Sequence, residues 1–408
     1  MLCGLLGEKL GHSYSPFIHS QLGKYSYQLF EKQQSELAEF LTQGDFAGIN
    51  VTIPYKKAII PYCAELTPQA KALGAVNTLI RKPDGTLLGH NTDYFGFETM
   101  LKASGLDIAG KKVLVLGSGG ASNTTVAVLQ AHGAIPVVIS RQGQNNYNNL
   151  HPHADASVIV NATPVGMYPN TEAAPVDIGQ FPKLEGVLDL VYNPARTRLL
   201  QEAKKRGLVA ENGLLMLVAQ AKEASEWFTG VSIPDEKIFE IYRKLRQAEE
   251  NIILIGMPGS GKSTIGKLLA EKTGKVFVDA DALIPELAGK SIKRVLAEDG
   301  EDAFRQYETK ALAYLCKESE LVVATGGGCV TRSENESILR QNGIIFCLER
   351  QLDSLNTEGR PLSQDIGVEE LYRVRKPMYE QFADYFIDNN GTSAEAAAAI
   401  LKIWEEMQ

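Results

Sequence analysis

Along most of the chain, short apolar runs alternate with longer stretches in which apolar positions recur every three or four residues. A continuous apolar run is what a strand buried on both faces presents. The spaced pattern is the apolar stripe of a helix lying on a sheet. Their alternation is a βαβ rhythm, so the pattern predicts an α/β protein built on parallel sheets. Two of the runs lead into glycine-rich turns. Lys111-Lys112-Val113-Leu114-Val115-Leu116 precedes Gly117-Ser118-Gly119-Gly120, with a helix predicted over 123–132 and a second strand over 135–140. Asn251-Ile252-Ile253-Leu254-Ile255 precedes Gly256-Met257-Pro258-Gly259-Ser260-Gly261, with a helix predicted over 265–272. A glycine turn between a buried strand and a helix N-terminus is where α/β sheets hold phosphates, because free backbone N–H groups point out and no side chain blocks approach. Two such turns of different type imply two nucleotide-binding units. Between them a charged amphipathic helix is predicted over 235–250, with Ile238, Phe239, Ile241, Tyr242 and Leu245 on one face. It runs almost directly into the next strand, so the junction near Gln247 to Glu250 is short and stiff. An alanine-rich stretch over 394–399 predicts a C-terminal helix.

Composition sharpens this picture. At 408 residues the chain exceeds one ordinary core. Its 44% apolar and 22% charged content is that of a folded globular protein. A net charge of −8 argues against a nucleic-acid partner held by bulk electrostatics, but leaves room for small anions held by a few local cations. The cysteines Cys3, Cys63, Cys316, Cys329 and Cys347 are scattered and form no CxxC pair, which fits free thiols in a reducing compartment. No run approaches the ~18 apolar residues of a membrane span, and the N-terminus lacks a basic, apolar leader. A cytoplasmic protein without a membrane partner is expected.

The second turn satisfies Gly256-x4-Gly261-Lys262-Ser263 in full, between a strand and a helix as that motif requires. Its glycines let the backbone curl round phosphates, Lys262 reaches the terminal phosphates, and the Ser263 hydroxyl suits magnesium. Downstream, in order, come Asp279-Ala280-Asp281, Phe304-Arg305-Gln306-Tyr307-Glu308, Gly326-Gly327-Gly328, Arg360-Pro361-Leu362 and Arg375-Lys376-Pro377-Met378-Tyr379. This ordered set resembles shikimate kinase over residues 251–408. The resemblance implies an ATP site of Gly256, Gly259, Ser260, Gly261, Lys262, Ser263 and Thr264, with Arg360 as a lid arginine and Ser263 and Asp279 on Mg²⁺. It implies that Asp281 meets substrate hydroxyls and serves as base. Arg305 and Arg375 would clamp the substrate carboxylate, Glu308 would buttress Arg305, and Gly327 and Gly328 would lie against the substrate. Lys262, Asp281 and Arg360 would form the catalytic set. A planar guanidinium fork suits a carboxylate. One departure stands out: family members often carry arginines ahead of the lid that stack on adenine, and residues 352–359 contain none.

The first turn, Gly117-x-Gly119-Gly120-Ala121-Ser122, is a variant of GxGxxG inside a βαβ unit. After its second strand stands Ser140-Arg141, where an acid would favour NAD; a basic residue suits the 2′-phosphate of NADP. Polar signatures surround it: Ser13-Tyr14-Ser15-Pro16, Asn50-Val51-Thr52-Ile53-Pro54-Tyr55-Lys56, Asn77-Thr78, Asn91-Thr92-Asp93, Asn161-Ala162-Thr163 and Asn212-Gly213 through Gln220. This series resembles shikimate dehydrogenase over residues 1–247. The resemblance implies a catalytic pair of Lys56 and Asp93, with Lys56 moving the proton. Ser13 and Ser15 would bind the substrate carboxylate, and Thr52, Asn77, Tyr192 and Gln220 the ring hydroxyls. Gly117, Gly119, Gly120, Ala121, Ser122, Arg141, Asn161, Thr163 and Gly213 would line the cofactor.

The implied architecture is a substrate-binding α/β domain (1–100), a Rossmann-like NADP domain with returning helices (101–247) and a P-loop kinase domain (251–408). The implied chemistry is NADPH-dependent reduction of 3-dehydroshikimate to shikimate, followed by ATP- and Mg²⁺-dependent phosphorylation of shikimate to shikimate 3-phosphate. Two alternatives stay open. One is a quinate/shikimate dehydrogenase fused to the kinase, which the Ser-x-Ser form of residues 13–15 disfavours. The other is a non-catalytic regulator built on the same folds.

Overall fold

The structure is a computed structural model that describes residues 1–11, 13–355 and 367–407. Three sheets carry the fold, and the chain divides into two compact units, residues 1–193 with 197–244, and 194–196 with 245–408. The helix Glu236–Glu249 runs across that division, close to where the amphipathic pattern over 235–250 places it.

The first unit contains two sheets. The N-terminal one is mixed, in the order Ser26–Glu31, Leu2–Gly7, Gly48–Val51, Thr78–Arg81, Leu87–His90 and Glu65–Leu66. The first three strands are parallel, whereas Thr78–Arg81 runs antiparallel to both Gly48–Val51 and Leu87–His90. The reversal is local: the tight connection Lys82-Pro83-Asp84-Gly85 needs a left-handed residue, and Gly85 supplies φ +84°. The second sheet is wholly parallel, in the order Val209–Asn212, Gly186–Asp189, Val158–Asn161, Lys112–Leu116, Ile135–Ile139. Lys112–Leu116 therefore sits where the strand order reverses, so its C-terminal turn opens into the crevice at which such sheets bind ligands. The helix Leu214–Thr229 returns to the first sheet. Small residues allow its approach: a Cβ on Gly96 would fall 2.7 Å from the Met216 carbonyl, and one on Gly48 would overlap the Phe228 ring.

The second unit holds a five-stranded parallel sheet, ordered Val276–Asp279, Leu321–Ala324, Asn251–Gly256, Gly343–Glu349, Tyr385–Asp388. Every residue of Asn251–Gly256 is buried, as its unbroken apolar run predicts for a central strand covered on both faces. The alanine-rich segment belongs to the helix Ser393–Glu406, which seats Ala396, Ala397, Ile400 and Trp404 in one core cluster with Ile252 and Leu254.

Both helices after the glycine turns begin earlier than the apolar periodicity predicts. The first is Gly120–Ala131 rather than 123–132, and the second Lys262–Thr273 rather than 265–272. Periodicity detects the turn that packs, not the turn that faces a ligand: Gly120, Lys262 and Ser263 carry no apolar signal, yet they form the first turns on which the phosphate sites depend. Among the described residues no helix is long and apolar enough to cross a membrane, and all five cysteines are free thiols.

Candidate active sites

In the first unit the turn after strand Gly48–Val51 and the N-terminus of helix Asp93–Ala103 bring Lys56 and Asp93 together, Nζ to Oδ2, at 2.6 Å. The Lys56 carbonyl accepts from the Val76 N–H at 2.8 Å, which fixes that turn against the sheet. Asp93 is nearly buried and Lys56 about a fifth exposed, so the ammonium is the more accessible member of the pair. Beside the pair lies a neutral network. The Thr92 N–H donates to Asn77 Oδ1 at 2.7 Å, Asn77 Nδ2 donates to Thr92 Oγ1 at 3.1 Å, and Thr92 Oγ1 donates to Gln220 Oε1 at 3.3 Å. Asn77 and Gln220, two predicted hydroxyl ligands, are thus joined through Thr92, whose part the sequence reading left unassigned although it stands beside Asp93 in the same motif. Asn77 is buried and its amide is already bonded within the protein. Ser13 and Ser15 meet at the start of helix Ser15–Leu22, where the Ser15 N–H donates to Ser13 Oγ at 3.2 Å. Tyr192 lies near Ser13 and Ser15 through ring contact with Tyr14 at 5.6 Å, and burial raises its phenol's pKa. Thr52 caps the end of its strand, donating its N–H to the Leu6 carbonyl.

The glycine turn is open where a cofactor needs space. Gly117 takes φ +107°, and a Cβ there would press on Thr163 and the Ala162 carbonyl at 3.0 and 3.1 Å. Beyond it, Cβ atoms on Gly119 and Gly120 would meet nothing within 4 Å. Those two positions flank the helix N-terminus, whose first-turn N–H groups have no intrahelical acceptor and suit a pyrophosphate. Ala121 follows in the first turn, and Ser122 is buried beneath it. Gly213 is required by packing, because a Cβ would overlap the Leu190 carbonyl. Arg141 is exposed just past strand Ile135–Ile139.

Asn161 and Thr163 are tied together: Asn161 Oδ1 accepts from the Thr163 N–H at 3.0 Å and hydroxyl at 2.6 Å. Asn161 is wholly buried, so it shapes the loop rather than presenting its amide outward. Its Nδ2 donates to Asp189 Oδ1 at 2.9 Å, and Asp189 also accepts from the Val191 N–H at 3.0 Å and the Thr197 hydroxyl at 2.7 Å. Burial pushes the Asp189 carboxyl up to about 6, against the pull of the Thr197, Val191 and Asn161 donors. The sequence reading picked out Tyr192 and passed over Asp189 three residues earlier. A lone acid at a strand end carries no signal of its own until the fold gathers its donors.

In the second unit a cleft of about 580 Å³ lies at the C-terminal ends of the parallel strands, lined by Pro258, Gly259, Gly261 to Thr264, Asp279, Asp281, Arg305, Glu308, Thr325 to Gly328, Arg350 and Arg375. Nearly every residue the sequence singled out downstream of the phosphate loop falls here; Gly256 and Ser260 support it from behind, Ser260 being fully buried. Lys262 Nζ donates to the Gly256 and Met257 carbonyls at 2.8 and 2.9 Å. Ser263 Oγ donates to Asp279 Oδ2 at 2.9 Å, and Asp279 Oδ1 accepts from the Asp281 N–H at 3.2 Å. The hydroxyl and carboxylate beside the loop form the small oxygen set that Mg²⁺ takes when substrate phosphates and water complete its shell. Among the described residues no group of three or more His, Cys, Asp or Glu could hold a metal alone.

Arg305, on helix Gly300–Leu315, is held by Glu308 at 2.9 Å and Glu301 at 3.0 Å. Burial raises the Glu308 pKa, with the Arg305 charge opposing. The glycine triplet packs against these groups: a Cβ on Gly326 would overlap Glu308, one on Gly328 would overlap the Arg305 guanidinium, and one on Gly327 would fall 2.7 Å from Pro258. The Gly327 carbonyl accepts from Arg375 Nη1 at 3.0 Å and from the Tyr379 hydroxyl at 2.5 Å. Tyr379 closes the motif that contains Arg375, and the sequence reading gave it no role. Arg360 lies outside the described residues, as does the second half of the arginine-free stretch before it.

Comparison with known proteins follows the same division. A family model described as shikimate dehydrogenase substrate binding domain matches residues 5–79, and one described as shikimate kinase matches residues 258–405. A shikimate dehydrogenase (NADP(+)) of Clostridium perfringens is 37% identical over 267 residues, which is 60% of this chain and 98% of that protein. A bifunctional 3-dehydroquinate dehydratase/shikimate dehydrogenase of Arabidopsis thaliana is 35% identical over 59% of this chain and 46% of its own length. Among solved structures, a chorismate mutase/shikimate 5-dehydrogenase fusion from Clostridium acetobutylicum is similar at 36% identity and TM-score 0.57, covering 60% of this chain and 97% of that one. The Thermus thermophilus shikimate 5-dehydrogenase in complex with NADP(H) and shikimate is similar at 32% identity and TM-score 0.55, over 60% of this chain and 99% of that one. The chain belongs to the shikimate dehydrogenase family and carries a shikimate kinase domain in the same polypeptide.

Proposed function

We propose that this protein is a bifunctional enzyme of the shikimate pathway that reduces 3-dehydroshikimate to shikimate with NADPH and phosphorylates shikimate with ATP and Mg²⁺ to shikimate 3-phosphate. The observation that carries this reading is that each unit has both a glycine turn at the end of a buried parallel strand and the charges its own reaction needs: Lys56 and Asp93 at 2.6 Å in one, and Lys262, Asp281, Arg305 and Arg375 around one cleft in the other.

In the first site, bound NADPH supplies hydride to the ring ketone carbon. Lys56 gives its proton to the oxygen as charge develops, and Asp93 holds the ammonium in place. Ser13 and Ser15 take the carboxylate; Thr52, Asn77, Tyr192 and Gln220 orient the ring. Arg141, exposed beyond the second strand, takes the 2′-phosphate, which favours NADP over NAD. In the second site Arg305 and Arg375 clamp the carboxylate and Asp281 accepts the proton of the attacking hydroxyl. Lys262 and, from the lid, Arg360 balance the moving phosphoryl charge. Ser263 and Asp279 would hold Mg²⁺. The substrate-binding (1–100), Rossmann-like (101–247) and kinase (251–408) domains belong to the same reading, as does a cytoplasmic setting, which the free cysteines suit.

The test is direct. The intact chain is expected to oxidise NADPH with 3-dehydroshikimate and, when shikimate is added, to consume ATP. Ligand binding without turnover in either assay would make it a regulator. Oxidation of quinate with kcat/KM equal to that for shikimate would make the first half a dual-substrate enzyme.

A further inference from the structure

Four cations line the cleft of the second unit: Lys262, Arg305, Arg350 and Arg375. Lys262 is held by loop carbonyls, Arg305 by two carboxylates and Arg375 by the Gly327 carbonyl. Arg350 differs. Among the described residues it makes no hydrogen bond or ion pair; its Nε, like that of Arg305, is closed off from solvent without an acceptor, but Arg305 has two carboxylates and Arg350 has none. The fold carries it there deliberately. It follows strand Gly343–Glu349, whose Leu348 is in register with Gly256 at the mouth of the phosphate loop. One guanidinium nitrogen lies 4.0 Å from the Cβ position of Gly261. The segment is anchored on both sides, because the Gln351 N–H donates to Asn390 Oδ1 at 2.8 Å and Asn389 Nδ2 donates to the Ser260 carbonyl at 2.6 Å.

A guanidinium cannot shed its charge, and a half-buried one with a dry, unmatched N–H is costly unless a ligand completes it. The carboxylates of the cleft are placed elsewhere: Asp279 bonds to Ser263 and the Asp281 N–H, Glu308 bonds to Arg305, and Asp281 Oδ1 and Glu308 Oε1, which accept no hydrogen bond among the described residues, lie together against Gly326. What the position lacks is an anion arriving at the Gly261 end of the loop, and a guanidinium fork matches phosphate oxygens.

We propose that Arg350 is a nucleotide-binding residue that grips the phosphate chain at the Gly261 end of the loop, supplying a cation that residues 352–359 do not. The inference rests on the ATP-binding reading of this cleft. It is tested by calorimetric titration of the full chain with ADP, with adenosine and with shikimate, for wild type, Arg350→Ala and Arg350→Lys, with NADPH-dependent reduction as the check on folding. Hydrogen bonds to a charged group are worth about 1.5–3 kcal/mol, so Arg350→Ala is expected to weaken ADP about 10- to 100-fold. Adenosine and shikimate affinities are expected to hold, and Arg350→Lys to recover part of the ADP loss. ADP affinity unchanged in Arg350→Ala overturns the inference alone. Equal losses for ADP and adenosine overturn it in favour of contact with the base. Wild-type protein that binds no ADP overturns both the inference and the reading beneath it.

Discussion

Asp189 and Glu308 are both buried carboxylates, one in each unit, and the two units treat them differently. Asp189 accepts three hydrogen bonds, from Asn161, Val191 and Thr197, and burial lifts its carboxyl to about 6. Glu308 sits 2.9 Å from the Arg305 guanidinium, with Asp281 close enough to raise its pKa further. The contrast extends to the sites around them. The first has one ion pair, Lys56–Asp93, set among amides and hydroxyls; the second has four cations lining one cleft. The proposed reactions explain the division. Hydride and proton transfer to a ketone needs one proton donor at one oxygen, whereas phosphoryl transfer brings several negative charges together and must neutralise them. The first site is built for orientation and the second for charge balance.

This contrast can be broken at specific residues. The largest effect is expected at the lone proton donor. Lys56→Ala should lower dehydrogenase kcat by about 10²–10⁴, the usual scale of acid–base catalysis, and leave ATP-dependent turnover unchanged. Near-normal NADPH turnover in that variant would remove Lys56 from the chemistry. Next comes packing in the charge-balanced site. Gly328→Ala forces a methyl into the Arg305 guanidinium, and kinase kcat/KM for shikimate should drop about 100-fold, the scale of a 1 Å misplacement. Kinase kinetics indistinguishable from wild type would show that Arg305 is not held where substrate binds.

The third test concerns stability. A folded-state carboxyl pKa of about 6, above the ordinary ~3.9, means that Asp189 costs nothing below about pH 4, costs progressively more as pH rises from there to about 6, and levels off above it. At about 1.4 kcal/mol per unit, Asp189→Asn should gain about 3 kcal/mol on wild type between pH 4 and 7. The readout is the urea concentration that halves dehydrogenase activity at each pH, and a difference that does not vary with pH would contradict it. The smallest effect is expected at the surface. Arg141→Ala should raise the KM for NADPH about tenfold, the scale of one exposed charged contact, with little change for NADH. Equal changes for both would exclude contact with the 2′-phosphate.

Much of this was legible in the chain. The two glycine turns stand out because a continuous apolar run before a GxG or GxxxxGK[ST] string is a rare local pattern with a fixed structural consequence. The Lys56, Asp93, Arg305 and Arg375 positions were readable because they sit inside ordered motifs. Asp189 and Arg350 were not, since each is an ordinary charged residue at a strand end. Asp189 gains meaning from donors at 161, 191 and 197, and Arg350 from the register that brings strand Gly343–Glu349 beside Asn251–Gly256. Helix starts at Gly120 and Lys262 were misplaced by three residues because a ligand-facing turn buries nothing.

The sequence by itself determined the α/β class, the two phosphate turns and the residue types around them, because periodicity and glycine placement act over a few residues and need no distant partner. Tertiary structure alone decided which charges meet. It set Lys56 against Asp93 from 37 positions away, turned the Asn77 and Asn161 amides inward, packed Gly326 onto Glu308 and Gly328 onto Arg305, and left Arg350 at the mouth of the loop without a partner among the described residues. Sheet order and register fix such pairings, and both are set by burial across the whole fold rather than by any local string of residues.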